Sequence, residues 1–105
     1  MSPETAARLE SLNIQWMVKG FGGGLFAIFT RGNLIVMARC GDDGRIASLG
    51  STGMMTDNGL AYLSWRAGQP VLAGHGGKEI LATAEQAETI RQFSAELKSA
   101  LGLSE

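Results

Sequence analysis

Leu25-Phe26-Ala27-Ile28-Phe29-Thr30, then Arg31-Gly32-Asn33, then Leu34-Ile35-Val36-Met37-Ala38-Arg39: this stretch decides the fold. Two runs rich in β-branched and aromatic residues flank a short connection. Such residues fit the pleated, half-buried surface of a strand. Glycine and asparagine in the connection accept the positive φ that a tight hairpin demands. The stretch therefore predicts an antiparallel hairpin. Its two runs are apolar at successive positions rather than alternate ones. Both faces then meet something, and the strands are central or stand at an interface.

Downstream, Gly41-Asp42-Asp43-Gly44 supplies tight-turn chemistry and leads into a third strand over 45–49. Upstream, Ile14, Trp16 and Val18 alternate with Gln15, Met17 and Lys19, the mark of a half-buried strand. Residues 50–59, Gly-Ser-Thr-Gly-Met-Met-Thr-Asp-Asn-Gly, read as a longer loop. A strand resumes over 60–65, turns at Ala67-Gly68 and returns over 70–73. Pro70 marks that strand's start or an edge, because proline cannot donate to a ladder. Gly74-His75-Gly76-Gly77 precedes a last short apolar run over 80–82.

Helices flank this core. Ser2 is a natural N-cap, Pro3 fits the first helical position and Glu4 suits the positive end of the dipole. Ala6, Leu9 and Leu12 share a face, and Asn13 ends the segment. Thr83 and Gln86 form a capping box at the second helix. Ala87, Ile90, Phe93, Leu97 and Leu101 recur at helical spacing up to the cap at Gly102. The fold class is α+β in one domain over 1–105: an N-terminal helix, an antiparallel meander of six or seven short strands, and a long C-terminal helix packed on the sheet. The absence of βαβ alternation excludes a parallel nucleotide-binding sheet. At the level of strand count alone, the pattern resembles pleckstrin-homology-like small barrels, a likeness that carries no function.

Composition narrows the class. The 105 residues are 45% hydrophobic and only 18% charged, with 9 Lys plus Arg, 10 Asp plus Glu and a net charge of −1. That excludes a disordered chain. A single cysteine, Cys40, excludes a disulfide scaffold, and the 15 glycines show no collagen period. So small a charged fraction leaves apolar surface for a partner, which favours a homo-oligomer. No signal peptide or membrane-length apolar run stands in the sequence, and a lone cysteine suits the cytoplasm.

Charge is divided along the chain. Residues 14–78 hold six cations (Lys19, Arg31, Arg39, Arg45, Arg66, Lys78) and three acids (Asp42, Asp43, Asp57). The flanking helical parts hold three cations and seven acids. A basic sheet that also carries Trp16, Phe21, Phe26, Phe29, Tyr62 and Trp65 suits an acidic protein partner or a nucleic acid. The plainer reading is that arginine tolerates strands, glutamate favours helices and the aromatics are core.

Chemical constellations are thin. Two glycine-rich loops, one with Gly22, Gly23 and Gly24 and one with Gly74, His75, Gly76, Gly77 and Lys78, are candidate anion nests. Neither completes a Walker or dinucleotide fingerprint, and strand connections need such glycines anyway. His75 is the single histidine, and nothing pairs it with Cys40, a serine or an aspartate as a triad. One Cys and one His make no zinc site, so no metal and no cofactor are expected. Met54-Met55 places two flexible thioethers in the longest loop, which suits an adaptable binding surface; the plainer reading is that one of them plugs a core gap beneath the loop. The sequence thus points to a non-enzymatic regulatory or accessory module, acting on a protein partner as a homodimer. Arg31, Arg66 and Lys78 are the candidate charges; Met55 and Trp65 are the candidate apolar contacts. The alternatives are a nucleic-acid binder using the basic sheet and a small anionic-ligand binder using the glycine loops.

Overall fold

The structure is a computed structural model, and it describes residues 2–41, 45–57 and 59–103. The element order is α1 (Pro3–Ser11), β1 (Gln15–Phe21), β2 (Gly24–Arg31), β3 (Leu34–Cys40), β4 (Ile46–Thr56), β5 (Gly59–Arg66), β6 (Gln69–Gly74), β7 (Glu79–Leu81) and α2 (Ala84–Leu101). The seven strands form one antiparallel sheet in sequence order, with β1 and β7 at its two edges.

Local chemistry sets the element ends as expected. The Ser2 hydroxyl accepts the Thr5 N–H at 3.2 Å, and Pro3 opens α1. Asn13, just past the Leu12 cap, takes φ +59°, a conformation asparagine tolerates. At α2 the Thr83 hydroxyl accepts the Gln86 N–H (3.0 Å), and the Gln86 side-chain Oε1 accepts the Thr83 N–H (2.9 Å). Gly102 ends α2 at φ +71°. Ala67-Gly68 joins β5 to β6 with φ +51° and +79°, the two positive angles of a type I′ turn.

One expectation is corrected. Residues 50–56 are not loop: β4 extends through them to Thr56. Their glycines answer to close packing rather than to a turn. A Cβ on Gly50 would stand 2.8 Å from the Met37 carbonyl oxygen, and one on Gly53 would stand 2.9 Å from Leu60 Cδ1. The pairing of β3 with β4 shifts twice, between Val36 and Ala38 and between Arg39 and Cys40. Such bulges bend a strand and increase its twist.

Directly opposed residues point to the same face of a sheet. Ala27, Phe29, Val36, Ala38 and Met54 share the face that both helices cover. α2 delivers Ile90, Phe93 and Leu97 onto it, and α1 adds Leu9. Phe29, Phe93, Leu9 and Leu97 are fully buried. Each contributes roughly 1.5–3 kcal/mol of apolar burial. The helices cover the middle strands; β3 and β4 are the strands that α2 packs against most closely.

Candidate functional site

The face opposite the helices is open. By register it carries Met17 of β1, Ile28 of β2, Ile35 and Met37 of β3, Met55 of β4, Leu60 and Tyr62 of β5 and Leu81 of β7. Met17, Met55 and Tyr62 are 48%, 53% and 37% exposed. Five of the ten large exposed hydrophobics belong to this face. The other five (Trp16, Val18, Leu25, Trp65 and Ile80) lie on the helix side, at flanks that α1 and α2 leave partly uncovered. A hollow of about 410 Å³ sits in the open face, lined by Ile35, Met37, Gly50, Ser51, Leu60 and Tyr62. Scattered exposed apolar residues are ordinary, but a contiguous patch marks a contact surface.

Met54 and Met55 divide their roles. Met54 is buried in the core and Met55 points out on the open face. The core reading holds for Met54, and strand alternation turns Met55 to the other face. Of the five residues singled out from sequence as partner contacts, Met55 stands on the open face.

Of the other four, Arg66 shares that face, and Arg31 and Trp65 do not. Arg31 lies on the helix side: its Nη2 meets Glu96 Oε2 at 2.6 Å, and its Nη1 donates to the Leu12 carbonyl at 3.2 Å. Its guanidinium also stacks 5.0 Å from the Phe93 ring centre. It is tied to α2 and to the end of α1. Arg66 is on the open face but binds Glu79 Oε1 through Nε (3.2 Å) and Nη2 (2.9 Å). By register this pair spans the row of Val71, which is 5% exposed although no helix covers it. Trp65 stands at the helix-side flank, with the Arg91 guanidinium 4.9 Å from its ring centre. Lys78 is exposed beside a hollow of about 70 Å³ that Leu72 and Ile80 also line.

Arg31 and Arg66 are therefore matched by glutamates that sequence order assigns to the acidic part. The basic character of the sheet thins accordingly. What stays on the open face is a cross-strand row of Lys19, Phe26 and Arg39.

The glycine loops stand at opposite ends of the sheet. Gly22 and Gly23, at φ +52° and +87°, are the two-residue turn between β1 and β2, and Gly24 already belongs to β2. Gly74 begins the β6–β7 connection, where its N–H donates to the Lys78 carbonyl at 2.8 Å. Gly76 and Gly77, both at φ +76°, complete it. The His75 side chain and the Asp42-Asp43-Gly44 turn fall outside the described residues. Cys40 is half-buried and packs against the core. Among the described residues, no group of three or more His, Cys, Asp or Glu could hold a metal ion. No helix among them is long and apolar enough to cross a membrane. No family model matches the chain, and neither a curated protein nor a solved structure matches it.

Proposed function

We propose that this chain is a non-enzymatic interaction module that works as a homodimer, with the open face of its sheet laid against the same face of a second copy. The observation that carries this reading is the contiguous apolar surface running from Met17 to Leu81 on a face that no helix covers.

Two measures of shape support it. A monomer of 11.1 kDa exposes about 5,650 Å² by the usual mass scaling. This chain exposes 6791 Å². The surplus of about 1,100 Å² exceeds the roughly 800 Å² that each partner hides in a standard interface. The radius of gyration is 14.2 Å, against about 12.9 Å expected for a compact domain of this length.

Light scattering tests the reading. The native chain is expected near twice 11.1 kDa. Met17→Lys and Met55→Glu are expected to give the single-chain mass with unchanged circular dichroism. A native monomer at high micromolar concentration overturns the reading, as does a dimer that ignores both substitutions.

One observation favours a second reading. In the row Lys19–Phe26–Arg39, two cations flank an aromatic ring on the open face, the composition that single-stranded nucleic acids use. That reading expects oligonucleotide binding that weakens steeply between low and moderate salt. No binding at low salt removes it.

A further inference from the structure

We propose that the split between β4 and β5 is a docking cleft for an extended acidic segment, which adds as a strand to the free edge of β4. This goes beyond the dimer reading, because it rests on an unpaired strand edge, although Met37 and Tyr62 at its margin belong to the open face.

The register defines the split. β4 pairs with β3 from Cys40↔Ile46 to Leu34↔Met54, along nearly its whole length. It pairs with β5 only from Gly53↔Tyr62 to Thr56↔Gly59. Beyond Tyr62, β5 continues to Arg66 with β6 as its partner. Residues 46–52 of β4 thus have a strand on one side and none on the other among the described residues. Both bulges against β3 fall along this same stretch of β4, and bulges bend a strand. Gly50 permits the close approach, since a Cβ there would meet the Met37 carbonyl oxygen.

The gap opens on both faces. On the open face it is the hollow bordered by Met37 and Tyr62, about 410 Å³. On the helix side it is a hollow of about 250 Å³, where Leu49, Thr52 and Leu63 face Arg91, Ser94 and Lys98 of α2. Gly50 and Ser51 line both hollows, so the two are one cleft seen from its two sides.

Its chemistry selects the occupant. Unpaired strand edges in natural sheets are usually protected by charge or proline. Residues 46–51, Ile-Ala-Ser-Leu-Gly-Ser, contain neither. Five of the α2 residues are charged: Glu85, Glu88, Arg91, Glu96 and Lys98. Both cations line the cleft, and no described acid does. Arg91, Ser94 and Lys98 share a helix face by their spacing of three and then four. An added strand presents alternate side chains to the two faces of the sheet. Its carboxylates would meet Arg91 and Lys98, and its apolar residues would meet Met37 and Tyr62. The occupant is therefore an extended protein segment in which acidic and apolar residues alternate.

The test is a titration of the isotope-labelled native protein, followed by NMR, with a blocked octapeptide of alternating glutamate and valine. Amide signals of 46–51 and 91–98 are expected to move together. Lys98→Glu and the milder Lys98→Gln are each expected to weaken binding, the former by about tenfold or more, with melting temperatures close to native. Methylating alternate peptide nitrogens should abolish binding in one of the two registers, because strand addition uses main-chain hydrogen bonds. Equal binding of a lysine–valine octapeptide overturns the proposal. So does no binding, or shifts confined to Met17, Ile28 and Met55. The dimer reading is judged separately, by mass, so either can fail without the other.

Discussion

Arg31 is a residue that sequence reasoning offers to a partner and that the fold uses to hold itself together. Replacing it separates the two uses. In the native chain, its guanidinium makes a 2.6 Å ion pair with Glu96, a 3.2 Å hydrogen bond to the Leu12 carbonyl and a 5.0 Å stack on Phe93. The side chains of Arg31 and Glu96 are 27% and 31% exposed, so solvent screens the pair in part. A half-screened pair contributes about 1 kcal/mol. A partly exposed cation–π stack contributes about 0.5–1 kcal/mol. Adding the lost carbonyl contact and buried stem, Arg31→Ala is expected to cost about 2–3 kcal/mol. For a domain of this size that lowers Tm by about 10–20 °C. Arg31→Met keeps the stem and is expected to recover about a third of the loss. The assay is thermal and urea unfolding at one fixed protein concentration, because any self-association would make Tm concentration-dependent. A double-mutant cycle with Glu96→Gln should return a coupling of about 1 kcal/mol. The reasoning is refuted if Arg31→Ala melts within about 2 °C of native yet loses self-association. Arg31 would then be a surface contact, as its residue type alone suggests.

Gly50→Ala is expected to destabilise the chain by about 2 kcal/mol or more, because the new methyl meets backbone rather than a yielding side chain. Urea unfolding measures it, and a loss below about 0.5 kcal/mol would mean that the bulge can open freely. Ala67→Asn is expected to gain about 0.5–1 kcal/mol, since Ala67 stands at φ +51° and Asn-Gly is the favoured pair for a type I′ turn. A lower Tm would show that the alanine methyl packs in a way the turn geometry does not reveal.

What was legible in the sequence is what is local. Ser2, Thr83 with Gln86, and Gly102 cap their helices because a cap needs only neighbours three or four residues away. The Ala67-Gly68 turn is local in the same way. Residues 50–56 failed because glycine is ambiguous. Gly50 and Gly53 look like turn residues, yet they serve a strand that runs close to Met37, Leu60 and Tyr62. Only the register could show that. The intrachain partners of Arg31 and Arg66 were hidden for a related reason. Each arginine's type announces a cation, but Glu96 lies 65 residues from Arg31, and Glu79 lies 13 from Arg66 across a strand turn. The cleft cations Arg91 and Lys98 were absent from the candidates because they sit within an acidic helix. Their spacing was visible; the splayed strands beside them were not.

The open face follows from the element count, before any side chain is placed. Seven strands at about 4.8 Å spacing make a sheet roughly 29 Å across. The 18 residues of α2 rise about 27 Å and cover a band about 10 Å wide. The 9 residues of α1 extend that band over about 14 Å of length. Two such helices on one face cannot cover its flanks, and they leave the other face bare. A soluble sheet solves this by making the bare face polar through strict alternation. Strands β2 and β3 do not alternate: Phe26, Ile28, Ile35 and Met37 are as apolar as the core residues between them. The low charge of the chain and the runs at 25–30 and 34–39 therefore express one fact. This sheet has two apolar faces and helices for one, and that imbalance is what the proposed pairing with a second copy would relieve.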